Sequence, residues 1–492
     1  MNNITQILNI KDSGIKVLVV KETNSTRTVT LEKEITFHFC PVCGCRMYSK
    51  GIYTRHVNHP IMQDGLHLIL EIRQRRWKCK NTACGNTETD EFSFVDKNRR
   101  NTNLSDILIV EAFRNPQISV AQIARIHHVS DTHAIRTFAK YVNLNRRQLP
   151  EAICVDEVFL NIHHGYKYAL VIQDFLTGES VDLVETRRKI KTESYFLSIP
   201  LKERQRVKYV ISDMYKPYLE YTKLYFPNAV NIVDAFHVIQ MINFQFLKYI
   251  RKLIRSIDEK DHAEHRKREE EFHRELDFKH SKDYMLLKKY HGMLLKNGRD
   301  LKVYTQPKYN KILGRMMTTY DYLEWMYNID PDLEHLRALK EVYIAFNIKY
   351  AGDPKGAKKA LSQVIEKYRA CKYSMYHDIA DMLEENTDAI VNSFIMLEKH
   401  PGDKVRLSNG PIEGLNRITK DMKRMARGFR NFEFVRQRFL FATRKNAQIL
   451  GSPRRLEDTY LKTYIEESAN TSEVFYDEDI EDNRTAMNEE DF

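Results

Sequence analysis

Two cysteine pairs and three carboxylates are the residues whose types and spacing can do chemistry in this sequence. The first pair is Cys40-Pro-Val-Cys43, followed by Gly44; the second is Cys79-Lys-Asn-Thr-Ala-Cys84. A Cys-x2-Cys knuckle offers two thiolates from one tight turn, and zinc takes four such ligands in a tetrahedron. The x4 spacing of the second pair is looser but workable. Four thiolates leave no open position, so a zinc held by Cys40, Cys43, Cys79 and Cys84 would be structural. The other three cysteines are Cys45, Cys154 and Cys371. An odd, clustered set without a signal peptide argues for metal binding over a disulfide framework. Cys45 reads as a bystander, and His56 or His59 could replace a cysteine. Unpaired reduced cysteines are the plain alternative.

The carboxylates are Asp156, Asp213 and Glu413. Asp156 ends the apolar run Ile153-Cys-Val-Asp156, and Asp213 ends Val207-Lys-Tyr-Val-Ile-Ser-Asp213. Carboxylates at the ends of adjacent strands can converge on one point. Two Mg²⁺ ions held there ~4 Å apart activate an attacking oxygen and stabilise a leaving one in phosphoryl transfer. Either aspartate alone reads equally as a strand-end turn residue. Glu413 opens a helix on which Arg417, Lys420 and Arg424 share its face. Alone, it reads as charge matching at a helix N-terminus. Residues 404–445 carry twelve bases against three acids, which suits a polyanion lying over the site. Asp234-Ala-Phe-His237 is either an N-cap with a surface histidine or an accessory pair near the same site, with His237 on a phosphate.

Elements must position these groups. Two short β-like runs, Val17–Val20 and Thr28–Leu31, fall in an N-terminal segment, 1–37. The cysteine module spans 38–95, and the strand-like run Ile69–Arg76 leads into its second pair. There Arg73, Arg75 and Arg76 beside Trp77 suit phosphate contact, although Trp77 reads equally as core. Within 100–147, Ser119 caps one short helix, and Asp131–Val142 forms a second after a tight turn. This is a helix-turn-helix pattern, with Ala134, Ile135, Phe138 and Val142 inward and Thr132, His133, Arg136 and Thr137 toward a groove. A generic helical hairpin is the alternative. The runs Ile153–Ile162, Tyr168–Asp174, Ser180–Glu185, Val207–Ser212 and Asn231–Val233 alternate with helical stretches, which predicts an α/β core with a mixed sheet over 150–243. Residues 244–402 read as all-helical. Their histidines, 262, 265, 273 and 280, read as a solvated helix face rather than a metal site. Pro401–Pro411 marks a boundary, and a final basic helical segment runs from Ile412 to about Ile449, within the last unit, 403–449.

The chain has 492 residues and a formal net charge of +11. Residues 473–492 hold nine acids and one base, so the rest is more basic still. That balance favours a nucleic-acid partner, and a basic solvated surface is the bland alternative. The acidic tail, 450–492, is expected to be disordered. No apolar run approaches the ~20 residues of a membrane span, so a soluble, cytoplasmic protein without a membrane partner is expected.

Eight segments resemble the bacterial insertion-sequence transposases of the ISL-three type. They are Cys40-Pro-Val-Cys-Gly44, Arg75-Arg-Trp-Lys-Cys79, Val155-Asp-Glu157, Ile211-Ser-Asp-Met214, Phe226-Pro-Asn-Ala229, Asp234-Ala-Phe-His-Val238, Ser408-Asn-Gly-Pro-Ile-Glu-Gly-Leu-Asn416 and Arg427-Gly-Phe-Arg-Asn-Phe432. They run in the expected order from about residue 38 to about 446. The resemblance implies a ribonuclease-H-like catalytic domain split by the helical insertion, with Asp156, Asp213 and Glu413 as an Asp-Asp-Glu triad on two Mg²⁺ or Mn²⁺ ions. It also implies a zinc ribbon and helix-turn-helix that bind terminal inverted repeats, and Asp234/His237 as the Asp-x-x-His signature of related transposases. The expected activity is cleavage and transfer of double-stranded DNA, at element ends and target, by a nucleoid-associated homodimer or larger assembly. The alternative is a regulator or retired transposase that binds ends without cutting; a third option is a structure-specific nuclease without strand transfer.

Overall fold

The computed structural model describes residues 3–36, 38–60, 65–163, 166–301 and 306–449. The acidic tail lies outside them. After α1 (Asn3–Ile7), the first unit is a sheet of β1 (Ile15–Glu22), β2 (Thr26–Lys33), β3 (Met47–Asn58), β4 (His67–Cys79) and β5 (Thr87–Thr89), in the order β1-β2-β4-β3 with β5 also on β4. Parallel pairing of β2 with β4, such as Leu31 with Ile72, joins the N-terminal strands to the cysteine ribbon in one sheet. Val29, Leu31, Leu68, Leu70 and Ile72 alternate inward, as a sheet with one buried face requires.

His59 lies under this sheet, far from a ligand role. Its ring bonds the Leu8 carbonyl at 3.0 Å and the Thr102 hydroxyl at 3.1 Å, tying α1 to the next helix. Burial pushes its pKa down to about 4 from 6.5. The unfolded chain therefore takes up a proton at higher pH than the native one. The resulting stability is fully present above pH 6.5 and is lost as pH falls toward 4, by up to about 3 kcal/mol. Denaturant titrations of the wild type and His59→Gln across that window should diverge in their pH slope; equal slopes would contradict this account.

Three helices follow: α2 (Asn103–Ala112), α3 (Val120–Ile126) and α4 (Asp131–Tyr141). Ser119 caps α3 in a reciprocal box with Gln122, and Ser130 caps α4. Ala134 and Phe138 point inward, but Ile135 is exposed and Thr137 is buried, the reverse of the sequence expectation for those two. The trio is not a free-standing module. Phe113 and Phe138 pack on Phe434, and Phe138 also on Phe441, both from the last helix among the described residues. Buried Arg438 of that helix donates to the Asn115 and Ile118 carbonyls.

The central sheet comprises β6 (Ala152–His163), β7 (Tyr166–Asp174), β8 (Ser180–Val184), β9 (Tyr209–Ser212) and β10 (Val230–Val233), in the order β10-β9-β6-β7-β8. The β6-β7-β8 part is antiparallel, and β9 and β10 run parallel to β6. Alternate residues of β6 separate two cores. Ile153 and Val155 face α5 (Lys189–Ser198) and α7 (Lys216–Tyr225), with the short α6 (Leu201–Arg204) between them in the chain. Cys154, Val158 and Leu160 face α16 (Gly410–Ala426) and α17 (Phe432–Thr443).

Between the two halves lies the insertion. From β10 emerges α8 (Ala235–Phe272), followed by α9 (Lys282–Tyr290), α10 (Gly292–Leu295), hairpin β11 (Lys308–Asn310)–β12 (Arg315–Met317), α11 (Thr319–Ile329), α12 (Asp332–Lys349), α13 (Pro354–Arg369), α14 (Ser374–Glu385) and α15 (Thr387–Asn392). Hairpin β13 (Met396–His400)–β14 (Asp403–Arg406) returns the chain to α16. The α8 histidines are not a bare solvated face. His262 stacks on Phe278 at 4.0 Å and His280 lies 3.4 Å from Asp258, folding the segment after α8 back along it. Among the described residues, no helix is long and apolar enough to cross a membrane.

Candidate functional site

Strand register brings two carboxylates together. Cys154 of β6 stands opposite Ile211 of β9, and both face the α16 side. Two residues further along come Asp156 on β6 and, just past the end of β9, Asp213, near enough for its charge to act on the Asp156 carboxyl. Asp156 is half-buried, and both its oxygens are held. Oδ1 accepts the Glu157 N–H at 2.8 Å and Oδ2 accepts Asn416 Nδ2 at 2.8 Å. Burial, with the negative charge of Asp213 adding to it, pushes the Asp156 carboxyl up to about 7 against those hydrogen bonds. Asp213 accepts the Tyr215 N–H at 3.0 Å, a turn that fixes its carboxylate just past β9.

Glu413 sits exposed in the first turn of α16, one turn before Asn416. Ile412, Leu415, Thr419 and Met422 are that helix's buried face. Its start is pinned from three directions. Gln173 of β7 donates to the Pro411 carbonyl at 3.1 Å, Cys154 lies 3.9 Å from the Ser408 carbonyl, and Asp234 accepts the Asn409 N–H at 2.8 Å. The other oxygen of Asp234 caps α8 through the Phe236 N–H at 3.0 Å. One carboxylate thus ties the insertion's first helix to the head of α16. His237 Nε2 and both amide atoms of fully buried Asn409 have no hydrogen-bond partner among the described residues.

Glu157 points to the opposite face of β6. There it accepts Arg187 through both oxygens and the Tyr218 hydroxyl at 3.1 Å. Two neighbouring acids therefore serve different surroundings. Neither the Asn416–Asp156 bond nor the Arg187 clamp was assigned from sequence; a polar residue three positions after Glu413 was the available signal.

The four cysteines converge. The ligand atoms of Cys40, Cys43, Cys79 and Cys84 all lie within 4.8 Å of one another. Cys40 and Cys84 sulfurs are 3.7 Å apart, and Cys43 and Cys79 sulfurs 3.4 Å. A tetrahedron with ~2.3 Å metal–sulfur bonds needs sulfurs ~3.8 Å apart, so the set fits. Pairing of Met47 with Cys79 across β3 and β4 aligns the two knuckles, and Gly44 turns the first with φ +66°. Burial raises the Cys40 thiol, but hydrogen bonds led by the Cys43 backbone outweigh it and bring the group down to about 6. His56 lies apart, near Glu71 at 3.6 Å.

The residues expected to touch DNA divide. Arg417, Lys420 and Arg424 are exposed along α16, with Arg424 pairing to Asp421 at 3.0 Å. Thr132 and Arg136 are exposed on α4. His133 turns inward to Asn101 at 2.6 Å. Arg76 is exposed over Tyr53, whereas Arg75 is buried against Glu32 at 2.6 Å, and Arg73 pairs with the same glutamate at 3.0 Å. Trp77 is core.

The model of ISL3-type DDE transposases, described as "Transposase", matches residues 153–439, which is more than half of this sequence. The chain belongs to that family. A relative from Bordetella parapertussis, described as the transposase for insertion sequence element IS1001, is 22% identical over 233 residues. That match covers 46% of this chain and 55% of the relative, so the chain spans about half the relative's length.

Proposed function

We propose that this chain is a DNA transposase that cleaves the ends of its element and joins them to target DNA through Asp156, Asp213 and Glu413. What supports this reading is that Asp156 feels the charge of Asp213 and is hydrogen-bonded by Asn416 of the helix bearing Glu413. The order β8-β7-β6-β9-β10, antiparallel and then parallel, supports a ribonuclease-H-like core with 244–402 inserted.

Two Mg²⁺ or Mn²⁺ ions held by the three carboxylates would activate the attacking oxygen and stabilise the leaving one. The chain's own groups orient the reaction. Asp156 is fixed by two N–H donors, and Asp234 sets the head of α16. Arg417, Lys420 and Arg424 hold the DNA backbone, and His237 lies beside the site. Water cleaves the phosphodiester to leave a 3′-hydroxyl, which then attacks a target phosphate in line. Cys40, Cys43, Cys79 and Cys84 would hold a zinc that stabilises the ribbon, and α2–α4 supply the helix-turn-helix. Of the end-contacting residues, Arg76, Thr132 and Arg136 are available, while Arg75 and His133 hold structure. A homodimer or larger assembly pairs two ends. Incubation with a labelled duplex from the DNA bordering the gene, in Mn²⁺, should yield a nick; a protein that binds but never nicks would instead be an end-binding regulator.

Asn416 is a positioning residue in this scheme. Asn416→Ala should slow cleavage by about 10- to 100-fold and raise the Mn²⁺ needed for half-maximal rate, with DNA affinity unchanged. An unchanged rate and metal dependence would rule that role out.

A further inference from the structure

The helix that leaves the candidate site, α8, changes character along its length. Residues 235–257 hold Lys248, Arg251, Lys252 and Arg255 and no acid, whereas residues 258–272 hold seven acids and four bases. The outer half answers charges within itself: Arg268 pairs with Glu264 at 3.8 Å, and His265 lies 3.2 Å from Glu269. The four cations of the inner half are exposed, and none of them has a salt bridge among the described residues.

These cations share one side of the helix. With exposed Phe244 they recur at three- and four-residue spacing, opposite buried Ile242, Phe246 and Ile250. Lys248 and Lys252 are like charges one turn apart, as are Arg251 and Arg255, and such pairs repel on a bare helix. An anion laid along the stripe would remove that repulsion.

Asp234 fixes where the stripe begins. It caps α8 through the Phe236 N–H and accepts the Asn409 N–H at the head of α16, the helix of Glu413. At 1.5 Å per residue, the cations lie about 21–32 Å along the helix from Asp234. That reach is within about one turn of B-DNA.

We propose that the inner half of α8 is a DNA-backbone track, with Lys248, Arg251, Lys252 and Arg255 on phosphates of the duplex beside the cut. The track rests on the transposase reading for its duplex, and on uncompensated charge along a helix that starts at the site for its place. Phosphates attract such a stripe whatever the base sequence. A preformed helix loses little conformational entropy on docking.

The test uses the full chain and a labelled duplex from the DNA bordering the gene, without added Mg²⁺ or Mn²⁺, with affinity measured across a salt series. Arg251→Ala/Arg255→Ala should lower the slope of log affinity against log salt by about two. Lys260→Ala/Lys267→Ala removes the same charge from the outer half and should keep the wild-type slope. All four side chains are exposed, so thermal melting should match the wild type. A wild-type slope in Arg251→Ala/Arg255→Ala would overturn the proposal. So would an equal fall in both double variants, the mark of net charge alone, or altered self-association without altered DNA binding. Asp156→Ala, assayed for nicking in Mn²⁺, separates the two readings. If it cleaves like the wild type, the catalytic assignment falls, while the track is still judged by slope.

Discussion

Alanine at Asp156, at Asp213 or at Glu413 lowers DNA cleavage by three orders of magnitude or more, a loss of ~4 kcal/mol of transition-state stabilisation. Affinity for the element ends stays at the wild-type level. The size of the effect follows from the arrangement. Asp213 stands near enough to Asp156 for its charge to add to burial, and together they hold the Asp156 carboxyl up to about 7. A divalent cation would stabilise such a site, and losing one carboxylate would then remove both a ligand and the charge that balances the metal. Fold is not at stake in Glu413→Ala, because Glu413 is exposed and α16 is anchored by Ile412, Leu415, Thr419 and Met422. Cleavage on labelled ends, read beside a binding curve for each variant, checks the result. A variant that cleaves at the wild-type rate removes that residue from the triad.

Loss of zinc is the second large effect. Cys79→Ser, or chelation of the wild type, should abolish ordered end binding. Structural zinc contributes about 10–16 kcal/mol of binding free energy, as much as the whole stability of a small domain. At their end of the sheet, the thiols share a small apolar cluster with Met47, Trp77 and partly buried Cys45. The central α/β unit has its own cores and should stay folded, as should α2–α4, which share a core with α17. Metal analysis should give one zinc per wild-type chain and none in Cys79→Ser. A zinc-free variant that binds ends normally would contradict the structural role.

Much of this was legible in the sequence because the relevant signals are local. The five apolar runs of the central sheet became β6 to β10, and the Cys-x2-Cys and Cys-x4-Cys knuckles converged. Two strand-end aspartates could be named because strands alternate faces. What stayed hidden depends on partners distant in sequence. Arg75 looked like its neighbours until Glu32, on a strand reached by parallel pairing, was seen to bury it. His133 pointed to a groove until Asn101 turned it inward. His262 and His265 of α8 looked solvated because Phe278, which packs on both, comes from the segment that folds back on them. Asp156 and Glu157 are adjacent letters, yet only the sheet assigns one to Asn416 and the other to Arg187.

The most direct test of the central claim is where divalent metal binds. In a crystal of the chain soaked with Mn²⁺, anomalous difference density should fall between Asp156, Asp213 and Glu413 and vanish in Asp156→Ala. Mn²⁺ density elsewhere, with the space between these carboxylates empty, would contradict the account.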